Sequence, residues 1–121
     1  MKTGGVCLAG RIMIIEDEAF LRACFAEILS DWKPLLAASG EEALRLIKAQ
    51  PQVDLIISDY NLPGWNGAET IKRIRAVSPC GHFILMSGSN PHELAHLASE
   101  TGADAFLKKP FSEATLMKEV G

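Results

Sequence analysis

An α/β fold built on a doubly wound parallel sheet is predicted by three features of the chain. Five apolar runs of strand length alternate with longer amphipathic segments, with turn residues between them. The run Val53-Asp54-Leu55-Ile56-Ile57-Ser58 lacks sustained polar alternation, as expected of a strand covered on both faces. A carboxylate, Asp59, closes that run just before Tyr60-Asn61-Leu62-Pro63-Gly64, and sheets of this kind bind ligands outside the carboxyl ends of their strands.

The first strand is expected over Arg11 to Glu16. The first helix follows over Glu18 to Asp31, where Phe20, Leu21, Cys24, Phe25, Ile28 and Leu29 recur at helical spacing as a stripe facing the sheet. After a second strand over Pro34 to Ala38, Ser39 stands at an N-cap with Glu42 three positions on. This capping-box arrangement opens a second helix that turns Ala43, Leu44 and Ile47 inward and stops at Pro51. The third strand covers Val53 to Ser58. The third helix runs from about Asn66 to Val77, burying Ala68, Ile71 and Ile74 while Lys72, Arg73 and Arg75 point to water. His82 to Ser87 gives the fourth strand. Pro91 to Thr101 gives a fourth helix on Leu94, Leu97 and Ala98, with Gly102 suited to its C-cap. Ala105 to Lys108 and Ser112 to Val120 complete the alternation. The first, third and fourth strands are the most apolar, which places them at the centre of the sheet.

With 121 residues, 48% hydrophobic and 22% charged, the composition is that of one globular domain. That domain is expected over residues 11–121, with residues 1–10 as a flexible leader that matches no element. A formal charge of -3 argues against direct nucleic-acid contact. No apolar stretch reaches bilayer length and Met1 to Gly10 lacks an apolar signal core, so no membrane association and a cytoplasmic location are expected. Cys7, Cys24 and Cys80 are widely spaced without a CxxC pair and read as reduced structural thiols. His82, His92 and His96 form no metal set.

Right-handed crossovers place the carboxyl ends of all parallel strands on one edge. Glu16 and Asp17, Asp59, Ser87 and Lys109 therefore converge. Three neighbouring carboxylates repel one another unless one protonates or a divalent cation neutralises them, and a hard oxygen set in a partly solvated notch favours Mg2+.

These residues stand within four motifs: Ile14-Ile15-Glu16-Asp17-Glu18; Ser58-Asp59-Tyr60-Asn61-Leu62-Pro63-Gly64-Trp65-Asn66-Gly67; Leu85-Met86-Ser87-Gly88; and Gly102-Ala103-Asp104-Ala105-Phe106-Leu107-Lys108-Lys109-Pro110-Phe111. In order and spacing they resemble a bacterial two-component response-regulator receiver domain, from about Arg11 to Val120. The resemblance implies a flavodoxin-like (βα)5 three-layer sandwich with a parallel sheet of order 2-1-3-4-5. It implies that Asp59 is the phosphoryl acceptor. Mg2+ would be held by Asp59, by Asp17 directly, by Glu16 mainly through water, and by the backbone carbonyl of Asn61. Lys109 and Ser87 would contact the phosphoryl oxygens. Ser87 and Phe106 would form a switch in which the ring fills space vacated as the serine moves. A histidine kinase or phosphotransfer protein would be the donor, an output protein or domain the recipient of the signal, and the domain a regulator, monomeric or weakly dimeric, rather than a metabolic enzyme.

Four positions depart from the commonest pattern. Ser87 stands for threonine and keeps the hydroxyl; Glu16 stands for aspartate and has a longer arm. Asn66 stands for aspartate at a helix N-cap that either residue serves. Phe106 occupies a site where tyrosine is common. Three other readings share parts of these features. A receiver-shaped interaction module working without phosphorylation usually lacks an acid or the lysine. A haloacid-dehalogenase-type phosphohydrolase needs a second aspartate where this chain has Asn61. A flavin binder needs a phosphate loop after the first strand, where Glu16 and Asp17 would repel a phosphate.

Overall fold

The computed structural model describes residues 11–50, 52–78, 81–88, 96 and 101–120. Five parallel strands, β1 (Arg11–Ile15), β2 (Leu35–Ala37), β3 (Val53–Asp59), β4 (His82–Ser87) and β5 (Ala105–Lys108), form one sheet in the order β2-β1-β3-β4-β5. This is the expected order, with the three most apolar strands at the centre. Alternate residues of β1 feed two separate cores, since strand side chains point to opposite faces. Met13 and Ile15 pack with Ala43 and Ile47 of helix α2 (Gly40–Ala49) and Ile71 and Ile74 of helix α3 (Gly67–Val77). On the other face, Ile12 and Ile14 pack with Phe25 of helix α1 (Ala19–Ile28), with Leu29, and with Leu116 and Val120 of the C-terminal helix Glu113–Val120. Helices on both faces give the three-layer sandwich.

Local chemistry sets the helix starts. The Ser39 hydroxyl accepts the Glu42 N–H at 3.1 Å, and the Glu42 carboxylate accepts the Ala38 N–H at 2.6 Å, so the capping box closes one residue before its usual position. The Asn66 side chain caps α3 by accepting the Glu69 N–H at 2.9 Å. Ser112 accepts the Thr115 N–H at 3.1 Å and starts the C-terminal helix.

Three expectations change. Phe20 does not join the core stripe: it is 73% exposed, because α1 docks through Leu21, Phe25, Ile28 and Leu29, and Phe20 lies about 100° around the helix from Leu21. The first helix also ends earlier than Asp31, passing into a single 3-10 turn over Ser30–Trp32. Arg75 does not point freely to water. Its guanidinium bonds the Asp104 carboxylate at 2.9 Å and the Gly102 carbonyl at 2.6 Å, and lies 5.0 Å from the Phe83 ring centroid. The expected leader 1–10 lies outside the described residues. So does most of the expected fourth helix, of which His96 and Thr101 are described and helical. Among the described residues, no helix is long and apolar enough to cross a membrane.

Candidate functional site

Strand ends supply the site. Asp59 is the last residue of β3 and is 7% exposed, and Glu16 follows β1 directly and is 1% exposed. Asp17 is exposed beside them. One carboxylate oxygen from each of Glu16, Asp17 and Asp59 lies within 4.8 Å of the others. Ser87, fully buried, ends β4, and its carbonyl accepts the Lys109 N–H at 2.7 Å, which brings the lysine to the same edge. The Lys109 ammonium then donates to Asp59 Oδ2 at 2.6 Å and to Glu16 Oε1 at 3.3 Å.

The remaining oxygens are held by backbone. Asp59 Oδ1 accepts the Asn61 N–H at 3.0 Å, and Glu16 Oε2 accepts the Glu18 N–H at 3.2 Å. Burial pushes the Glu16 carboxyl above the usual carboxylate range and the Asp59 charge adds to this, while the Glu18 N–H and Lys109 offset part of the rise. Burial by itself would lower the Lys109 ammonium. Its hydrogen bond to Asp59 and the charges of Asp59 and Glu16 outweigh that and raise it.

The structure thus brings Glu16, Asp17, Asp59 and Lys109 together, with the Ser87 backbone bound to the lysine. Asn61 is exposed and engages Asp59 through its N–H. Phe106 is half-buried on the α2–α3 side of the sheet, paired with Leu85 across β4 and β5. Trp65 is half-buried under the Arg73 guanidinium, 4.6 Å from its ring centroid. Two residues escaped the sequence reading. Arg22 donates to the Glu16 carbonyl at 2.7 Å, a contact whose only sequence signal is one helical turn of spacing from Glu18. Gly67 packs against the Asp59–Tyr60 backbone and gives its N–H to the Tyr60 carbonyl at 2.7 Å; its place in the loop motif was the available signal. Three hard carboxylate oxygens at this spacing, one solvent-facing, fit a small divalent cation that keeps part of its water shell.

A family model described as the response regulator receiver domain matches residues 12–121. The nitrate/nitrite response regulator protein NarL of Escherichia coli (strain K12) is 32% identical over 111 residues, which cover 88% of this chain and 51% of NarL. The chain therefore spans about half the length of that relative. Among solved structures, the Vibrio cholerae chemotaxis protein CheY4 is similar with a TM-score of 0.81 and 28% identity over 92% of this chain and 95% of that one. A chain in the co-crystal structure of the Saccharomyces cerevisiae histidine phosphotransfer signaling protein Ypd1 with the receiver domain of its downstream response regulator Ssk1 matches with a TM-score of 0.81 and 25% identity. The match covers 92% of this chain and 86% of that one.

Proposed function

The chain belongs to the response regulator receiver domain family, and from that premise we propose that it takes a phosphoryl group onto Asp59 from a phosphohistidine on a partner protein. The observation that carries this reading is the Lys109 ammonium set 2.6 Å from one oxygen of a carboxylate that ends a buried strand. A carboxylate so placed is held for in-line attack, and an ammonium beside it meets the charge that develops on the transferring group.

In the step proposed, an Asp59 carboxylate oxygen forms a bond to phosphorus as the bond from phosphorus to the donor imidazole nitrogen breaks. The electron pair leaves with the imidazole, which takes a proton from solvent. Lys109 keeps its proton and shifts from the carboxylates to a phosphoryl oxygen. The Asn61 N–H holds Asp59 Oδ1 and so selects which oxygen attacks. Mg2+ would be held by Asp59, Asp17, Glu16 and the Asn61 carbonyl, and when bound it would neutralise phosphoryl charge. Ser87 is buried at the end of β4, and turning its hydroxyl toward the phosphoryl group would shift packing at that strand end. That movement would alter packing around Phe106 and change which partner binds.

Donor docking has a physical counterpart. A groove lined by Leu21, Phe25, Lys109, Pro110 and Phe111 opens beside the lysine, and the exposed Phe20 ring stands on the same helix. An apolar patch next to the reacting group suits a protein donor better than a small phosphate ester. The test is incubation with acetyl phosphate and Mg2+ followed by intact mass. One phosphoryl group is expected, and an equal yield from Asp59→Asn would overturn the assignment.

A further inference from the structure

Arg22 lies outside the set of groups that would touch phosphate or cation, yet its side chain makes one specific contact. The half-buried guanidinium donates to the backbone carbonyl of Glu16 at 2.7 Å. That carbonyl belongs to the peptide unit joining Glu16 to Asp17, and a peptide unit is planar, so fixing its oxygen fixes the direction in which the Asp17 backbone leaves it. Glu16 is already pinned elsewhere. Its N–H goes to the Ala37 carbonyl at 3.0 Å, and its side chain goes to Lys109 and to the Glu18 N–H. Asp17 is exposed, so packing does little to orient it. The Arg22 N–H donates to the Glu18 carbonyl at 2.9 Å, which seats the arginine in the first turn of α1 and ties the loop to a rigid element.

We infer that Arg22 is a positioning residue that holds the Glu16–Asp17 peptide unit so that the Asp17 carboxylate faces Asp59 and Glu16 in a geometry ready for a divalent cation. The inference rests on the cation-assisted reading above. Charge and geometry make opposite demands at this position. A nearby guanidinium repels a cation, so if its charge dominated, neutralising Arg22 would tighten cation binding. If positioning dominates, the same change weakens it. Arg22 meets the loop through a 2.7 Å hydrogen bond to a backbone oxygen, a directional contact, while solvent on the open side of the half-buried guanidinium screens its charge. Geometry therefore wins.

The experiment titrates Mg2+ by calorimetry into the whole chain carrying Arg22→Met, Arg22→Gln or Arg22→Lys, with amide exchange of Glu18 followed by NMR on the same samples. Arg22→Met is expected to weaken Mg2+ by about tenfold, the lower end of what is lost when a group orienting a metal ligand is removed. The Glu18 N–H, which bonds the Glu16 carboxylate, should exchange faster in that variant. Arg22→Lys restores a charged donor and should recover most of the affinity; Arg22→Gln, a neutral and shorter donor, should fall between. Unchanged or tighter Mg2+ binding in Arg22→Met overturns the inference. If the unaltered chain binds no Mg2+, the reading of the site fails instead, and the Glu18 exchange rate still decides whether Arg22 holds the loop: an unchanged rate overturns that too.

Discussion

The Lys109 ammonium spans two buried carboxylates, 2.6 Å from Asp59 and 3.3 Å from Glu16, and so occupies the place where added positive charge would be most favourable. In the proposed reaction lysine and a divalent cation would compete for part of the same oxygen set, and both would meet the incoming phosphoryl charge. Lys109→Ala removes the competitor. Mg2+ should bind at least as tightly as in the unaltered protein, measured by calorimetry. Phosphorylation by acetyl phosphate should slow by about 10²-fold, the scale for losing one donor aimed at developing charge. A variant that phosphorylates normally and still switches partner binding would contradict the role given to this lysine.

Protons should compete with metal at a higher pH than ordinary carboxylates would allow. Glu16 is raised above its ordinary value of 4.5, chiefly by burial, so its proton must leave before the cluster can bind a cation fully. Mg2+ affinity is expected to fall on acidification with an onset above that value, and Glu16→Gln should flatten the profile. Lys109 shifts the alkaline side. Its folded value lies above 10.5, so its stabilising contribution is complete below the unfolded value and disappears as pH rises through the folded one. Urea midpoints taken from pH 9 upward should therefore decline more steeply than in Lys109→Ala; parallel curves would show that the pair contributes nothing to stability.

Phe20 separates docking from chemistry. At 73% exposure its ring contributes little to folding, and Phe20→Ala should move stability by no more than about 0.5 kcal/mol in urea. Acetyl phosphate, which needs no protein surface, should phosphorylate the variant at the normal rate. Transfer from a phosphohistidine protein should slow several-fold. A protein-donor rate that Phe20→Ala leaves unchanged would remove Phe20 from the docking surface.

The central place of the first, third and fourth strands and the convergence of Glu16, Asp17, Asp59 and Lys109 were legible because apolar runs mark strands and one crossover hand places their ends together, whereas the full order of the sheet came from the family resemblance. Phe20 was misplaced because hydrophobic type and helical spacing define a stripe without saying how wide it is. Leu21 and Phe25 reach the sheet; their neighbour does not. Arg75 was misread as solvated for a related reason. Its partners, Asp104 and Gly102, lie 29 and 27 positions away in sequence, and no local pattern announces a charge that finds its carboxylate through tertiary packing. The Arg22 guanidinium acts on a backbone carbonyl and Asn61 acts through its backbone N–H, atoms that every sequence contains and none distinguishes.

Gly67 shows how tightly the acceptor loop is packed, and it yields the most direct test of that packing. A Cβ at this position would stand 2.8 Å from the Tyr60 Cα, 2.9 Å from Leu85 Cδ2 and 3.2 Å from the Asp59 carbonyl oxygen. The leucine end can turn aside. The Tyr60 and Asp59 backbone cannot, because the Tyr60 N–H is bonded to the Met86 carbonyl at 2.8 Å and its carbonyl to the Gly67 N–H. Replacing glycine by alanine in a helix gains up to about 1 kcal/mol of propensity, less in the first turn, where Gly67 sits. Forcing a methyl group into packed surroundings costs about 1–3 kcal/mol, so overpacking outweighs propensity and Gly67→Ala should lower the urea midpoint. The strain falls on the peptide units that carry Asp59, so phosphorylation by acetyl phosphate should slow as well. Gly81→Ala serves as the control. Its added Cβ would meet neighbours no closer than 3.8 Å, an ordinary contact, and it should stay within about 0.5 kcal/mol of the unaltered protein. If Gly67→Ala matches that control in stability and rate, then α3 and the acceptor loop yield to each other freely, and the close approach of Gly67 does not hold Asp59 in place.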